Sequence, residues 1–198
     1  MHAVAAPRQI APPRPSRLRR AWRHVERSLA VAGAALIVWH LAFGAAEVIS
    51  PSMSPTLVGA KAGDPNNDWV LYETVSRRVA APPRGALVLF QNEDGVSIVK
   101  RVAGREGERL RLVDGQLEVD GALLPPPAPG VKYVRAGVLR PDPEGPRAYD
   151  VAQGAVFLLG DDSKDSWDGR YFGGTPVDEL RGRAVAVLWP PARWRWVW

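Results

Sequence analysis

The chain has 198 residues, a formal net charge of +5 and a pI near 10.0, with room for one domain of ordinary size and an appendage. It holds no cysteine, which excludes disulfide scaffolds, thiol nucleophiles, thiolate zinc sites and iron–sulfur clusters. Its histidines are His2, His24 and His40, so beyond residue 40 no serine–histidine–aspartate triad can form and a base must be a carboxylate, a lysine or an amine terminus.

Residues 1–27 carry arginines at 8, 14, 17, 19, 20, 23 and 27 against the single acid Glu26, and the rest of the chain is close to neutral. The cations therefore form a basic leader and not a folded face, which argues against nucleic acid as a partner. The stretch "LAVAGAALIVWHLAFGAA", 29–46, has no charged residue. At 1.5 Å per residue it reaches about 27 Å, the thickness of a bilayer's hydrocarbon core. Residues 28–47 read as one transmembrane helix, with 1–27 cytoplasmic and everything after Glu47 on the outer face by the positive-inside rule. A cleaved signal peptide competes, since Gly44-Ala45-Ala46 offers a small-residue site, but the apolar run is long for one.

"EVISPSMSPTL", 47–57, follows directly. Two prolines and four hydroxyl residues between Ser50 and Thr56 suit neither a helix nor a central strand. A serine fixed between Pro51 and Met53 suits a nucleophile; alone, the stretch reads equally well as a linker. Beyond it the pattern is β: short apolar or alternating runs at 69–73, 86–91, 96–104, 109–113, 116–120, 155–160 and 183–189, separated by glycine, proline and acidic turns. Asp114-Gly115 marks a hairpin. The expected fold is a mostly antiparallel β domain over 48–198, with a reduced insertion at about 121–152. The tail "WPPARWRWVW" puts Trp194, Trp196 and Trp198 on one side of an alternating stretch, which suits either interfacial anchoring in lipid or a last core strand.

Of four lysines, Lys61, Lys100, Lys132 and Lys164, only Lys100 sits inside an expected strand. Alternation places it on one face with Ile98 and Val102. Burial of that face would depress its pKa, as a lysine general base requires, since arginine cannot give up its proton near neutrality. The competing reading is a lysine snorkelling at a strand edge beside a solvated Arg101. The loop "LLGDDSKDSWDGRYFGGTP", 158–176, could be a solvated loop. It could also present oxygen ligands to calcium from Asp161, Asp162, Asp165 and Asp168, although no glutamate stands at EF-hand spacing.

Four stretches in order resemble type I signal peptidase (leader peptidase), the membrane-bound serine protease that removes signal peptides. "SPSMSPTL" is similar to its nucleophile box, "RGALVLF" (84–90) to its arginine–glycine–aspartate strand box, "VKRVAGREGE" (99–108) to its lysine box, and "GDDSKDSWDGRYFG" (160–173) to its last box. The resemblance implies Ser52 as nucleophile, Lys100 as general base, and Ser50 with the Ser52 N–H at the oxyanion. It further implies Ser166 hydrogen-bonded to the lysine, Asp161, Asp168 and Arg170 as structural neighbours, and Met53 and Pro55 against the substrate. It implies no metal and no cofactor. The implied partners are signal-peptide-bearing precursors and membrane lipid, and the implied location is the bacterial inner membrane with the catalytic domain on the periplasmic side. Ala86 stands where the acid is usual, Asp162 where asparagine is, Gly169 where the second serine is, and Pro51 where glycine is common. Three other readings stay open: a serine–lysine peptidase dedicated to one secreted or conjugation substrate, a self-cleaving repressor, which would need a DNA-binding domain, and an inactive membrane-tethered binding module.

Overall fold

The computed structural model describes residues 17–91, 95–134 and 148–197. Residues 1–16 of the basic leader, 135–147 of the expected insertion, and Trp198 lie outside the described residues. One helix, α1 (Arg17–Ala42), is long and apolar enough to cross a membrane. It takes in the basic residues from 17 to 27 that were expected to precede the span. The last five residues of the expected span are not helical: Phe43–Glu47 form strand β1, paired antiparallel with β2 (Trp69–Glu73). Gly44 lies opposite Tyr72, and a Cβ at residue 44 would fall 2.4 Å from the tyrosine ring, so the absent side chain is what lets β1 lie flush on β2.

Ten further strands follow: β3 (Leu87–Gln91), β4 (Ser97–Arg105), β5 (Arg109–Val113), β6 (Gln116–Val119), β7 (Ala122–Leu124), β8 (Ala148–Asp150), β9 (Ala155–Leu159), β10 (Gly174–Pro176), β11 (Leu180–Trp189) and β12 (Arg195–Trp196). A short helix, α2 (Gly169–Phe172), precedes β10. The larger sheet runs β1-β2-β11-β3-β4-β9-β10, with β12 on β11; the smaller runs β7-β6-β5-β8. All these ladders are antiparallel, as the sequence led us to expect. Asp114-Gly115 joins β5 to β6 with both residues at positive φ (49° and 84°), the geometry of a tight two-residue hairpin.

Alternation along β3 assigns its two faces. Leu87 and Leu89 pack with Val48, Met53, Leu57 and Val70 on one side, while Val88 and Phe90 pack with Val102, Leu158 and Leu180 on the other. A third cluster joins Phe157 and Leu159 of β9 to Leu110, Leu117 and Val119 of the smaller sheet. At about 1.5–3 kcal/mol for each large apolar side chain buried, these layers fix β3, β4 and β9 as the frame of the domain. In the tail Val197 is buried while Trp194 and Trp196 stay exposed, and β12 takes its place against Ala186 and Val187.

Candidate active site

Ser52 sits in a single 3-10 turn, Pro51–Met53. Proline at its first position has no N–H to lose, Ser50 before it is extended (φ −148°), and Ser54 N–H closes the turn on Pro51 O at 2.8 Å. The buried Met53 and Leu57 side chains anchor the turn in the core, and Leu57 N–H donates to Met53 O at 2.8 Å. Ser52 O accepts from Asp162 N–H at 3.0 Å, tying the turn to the loop after β9.

Lys100 lies opposite Val88 in the β3–β4 ladder and is only 2% exposed. Its Nζ is 2.6 Å from Ser52 Oγ, to which the protonated amine donates. Ser50 Oγ lies 3.0 Å from the same oxygen. Burial pushes the Lys100 pKa down to about 8; attraction to Asp168 and Asp161 opposes the fall, and repulsion from Arg170 adds to it. A cleft of about 300 Å³ opens over the pair, walled by Val48, Met53, Ile98, Val99 and Trp167, with Ser97 and Asp165 among its polar groups. Met53 therefore reaches the cleft. Pro55 does not: it is exposed, and its ring lies beside Gly130.

Two guanidinium–carboxylate pairs brace the site. Arg101, next to Lys100 in β4, binds Asp161 through Nε (2.8 Å) and Nη2 (2.5 Å) and donates to Gly85 O (2.7 Å) and Thr56 Oγ1 (3.1 Å). Thr56 in turn donates to Asp161 Oδ2. The Tyr133 phenol is buried near this carboxylate; desolvation first, and then the Asp161 charge, push its pKa up. In the second pair, Arg170 Nε meets Asp168 Oδ1 at 2.8 Å with both side chains fully buried. Arg170 also donates to Val134 O (2.7 Å), Ser163 O (2.6 Å) and Ser166 O (3.1 Å). Asp161 and Asp168, two of the four possible oxygen ligands in this loop, are thus each taken up by a guanidinium.

The hydrogen bond expected between Ser166 and the lysine is not made. The buried Ser166 hydroxyl donates instead to Asp168 Oδ2 at 2.7 Å, and that oxygen also accepts Gly160 N–H at 2.9 Å. Sequence reasoning gave Arg101 no role at the site, placing it in solvent only in the competing reading of Lys100, and assigned none to Thr56 or Tyr133. The available signal was in β4 itself: apolar Val99, Val102 and Ala103 cover both faces of the strand, so a residue at 101 is enclosed.

The departures have visible surroundings. Ala86 is buried in the cluster of Val88 and Val102. Asp162 caps the Ser163–Asp165 turn by accepting from Lys164 N–H at 3.1 Å. A Cβ at Gly169 would come within 2.8 Å of Leu158 O, so the backbone here leaves little space for the usual serine. Gly160 is tighter still: a Cβ would lie 2.2 Å from Ser166 Oγ and 2.6 Å from Ser52 O. Gly160→Ala is expected to lower stability by about 1–3 kcal/mol and to displace the Ser52 turn. Thermal denaturation measures the loss of stability.

Residues 21–189 match the family described as signal peptidase, peptidase S26. The chain is 30% identical over 156 residues to a probable signal peptidase I-2 of Synechocystis, covering 73% of this chain and 62% of that protein. It is 28% identical over 154 residues to signal peptidase I of Leptolyngbya laminosa, covering 73% of this chain and 68% of the relative. It is also 33% identical over 104 residues to the plasmid transfer protein TraF of Escherichia coli, covering 49% of this chain and 51% of TraF. With the family match extending from within α1 to the end of β11, the chain belongs to the signal peptidase family, peptidase S26.

Proposed function

We propose that this protein is a membrane-bound serine endopeptidase that removes N-terminal signal peptides from exported precursors through a Ser52–Lys100 dyad and an acyl-enzyme. The observation that carries the reading is the 2.6 Å approach of Lys100 Nζ to Ser52 Oγ in a buried setting. Once the amine is neutral, its lone pair faces the hydroxyl proton. Ser52 Oγ attacks the scissile carbonyl carbon while Nζ takes that proton. The Ser52 N–H and the Ser50 hydroxyl stabilise the oxyanion, a contribution of about 2.7–4 kcal/mol per donor in comparable hydrolases. The new ammonium protonates the leaving amine, and water activated by the regenerated amine then cleaves the ester. Asp161, Arg101, Asp168, Arg170 and Ser166 act as positioning residues for the two loops that meet at Ser52.

Helix α1 and the arginines before and within it support a single-pass anchor in a bacterial inner membrane, N-terminus cytoplasmic and catalytic domain outside. Similarity to TraF favours a second reading, a peptidase dedicated to one conjugation substrate. A panel of exported precursors, incubated with the chain in lipid vesicles, separates the two: a general enzyme cleaves many, a dedicated one a single member. Cleavage by the chain carrying Ser52→Ala at the wild-type rate would overturn both.

The pH dependence follows from the lysine. Its neutral form is the active one and its pKa is about 8. The rate constant kcat/KM should therefore rise about tenfold per pH unit up to that value and level off above it. A profile that keeps rising to about 10.4, the ordinary lysine value, contradicts a depressed base.

A further inference from the structure

The proposed proteolysis uses neither Asp165 nor Trp167, yet both line the cleft with Ser52 and Lys100. Asp165 ends the 3-10 turn Ser163–Asp165, which packs against the Ser52 turn. Its backbone N–H donates to Asp162 O, but among the described residues its carboxylate has no hydrogen-bond or ion-pair partner. The other carboxylate on the cleft is differently placed: Glu47 Oε1 accepts from Gly63 N–H and from Asn67 Nδ2, both at 2.8 Å. Among the described residues that line the cleft, Lys100 is the only basic one, and its working form is uncharged. Among the described residues neither carboxylate therefore has a counter-charge, and Asp165 alone also lacks a hydrogen-bond partner. Beside it, the Trp167 indole is stacked on Tyr171 (4.7 Å between centroids, 10° between planes) and remains 39% exposed, a rigid electron-rich surface next to a carboxylate.

We infer that Asp165 and the exposed part of Trp167 form a subsite for a cationic side chain, lysine or arginine, of the peptide bound in this cleft. The inference rests on the reading of the cleft as the substrate groove. A cleft of this volume accommodates a short extended segment, so the cation lies within about three residues of the scissile bond. An ammonium or guanidinium there gains the carboxylate's attraction and a contact with the aromatic ring while its stem covers the apolar wall.

The test compares paired peptides that span an alanine cleavage site and carry lysine or glutamine at one position, scanned from three residues before the bond to three after it. Wild-type chain is expected to favour lysine over glutamine in kcat/KM by about fivefold at one position, a preference that weakens with salt. Asp165→Asn should bring that ratio close to one, Asp165→Lys should invert it, and Trp167→Leu should reduce it. No preference at any position in the wild type, or a ratio that Asp165→Asn and Asp165→Lys leave unchanged, overturns the subsite. Failure to cleave any peptide refutes the proteolytic reading instead. The lysine-to-glutamine ratio of affinities, measured calorimetrically on Ser52→Ala and Ser52→Ala/Asp165→Asn chains, then decides the subsite by the same criterion.

Discussion

Lys100→Met is expected to abolish precursor cleavage, by about 10⁴-fold or more, while leaving the fold intact. Methionine fills nearly the volume of the lysine stem without an amine, and among the described residues the Ser52 hydroxyl has no side-chain partner besides Lys100 Nζ and the Ser50 hydroxyl. No histidine follows residue 40, Asp161 is held by Arg101, and Asp168 by Arg170. Removing a buried amine also removes its desolvation penalty, so the melting temperature should stay level or rise. Lys100→Arg keeps a positive charge that cannot be shed near neutrality and should be equally inactive. The measurement is single-turnover cleavage of a purified precursor beside thermal unfolding of each variant. Either variant keeping more than about 1% of wild-type activity would remove Lys100 as the base, given the usual worth of such a group.

The second large effect falls on stability. Asp168→Ala leaves the Arg170 guanidinium, whose side chain is wholly buried, without its counter-charge. Breaking a buried pair from one side typically costs about 3–5 kcal/mol. For a domain of this size that lowers the melting temperature by roughly 10 °C or more. The same carboxylate accepts Gly160 N–H and the Ser166 hydroxyl, so the loop that meets Ser52 O should loosen and activity fall before global unfolding. Asp150→Ala supplies the comparison: its partner Arg109 is 62% exposed and Asp150 itself 71%, and loss of such a surface pair changes stability by at most about 1 kcal/mol. Urea denaturation of the two variants should differ accordingly. Equal stability would mean that Arg170 finds compensation from the carbonyls of Val134, Ser163 and Ser166 alone.

Much of the frame was legible because the strands are short and alternate. The runs at 69–73 and 109–113 coincide with β2 and β5, and those near 86–91, 96–104 and 155–160 with β3, β4 and β9 to within a residue or so. Strand β1 was hidden because its first four residues, "FGAA", continue the apolar run of α1, and periodicity cannot divide a helix from a strand where every residue is small or apolar. What divides them is Tyr72, nearly thirty positions along the chain. Strand β7 did carry a signal: Asp120-Gly121 repeats the positive-φ pair of Asp114-Gly115. Three residues are too few for alternation to show. At the site, strand alternation singled out Lys100, whereas Ser50 and Ser52 were named through the resemblance of "SPSMSPTL" to the nucleophile box; the chemistry expected of all three belongs to single side chains. Arg101–Asp161 and the turning of Ser166 towards Asp168 depend on how two distant loops settle on one strand, which no window of sequence contains.

Consecutive placement of the amine and the guanidinium in β4 also restricts the chain's length there. Removing one residue from the segment just before position 100 would draw the guanidinium into the seat beside Ser52 and move the alanine at 103 towards the seam that Val102 now closes. Any programme of loop shortening or domain grafting around residues 95–101 must therefore conserve spacing before it conserves identity.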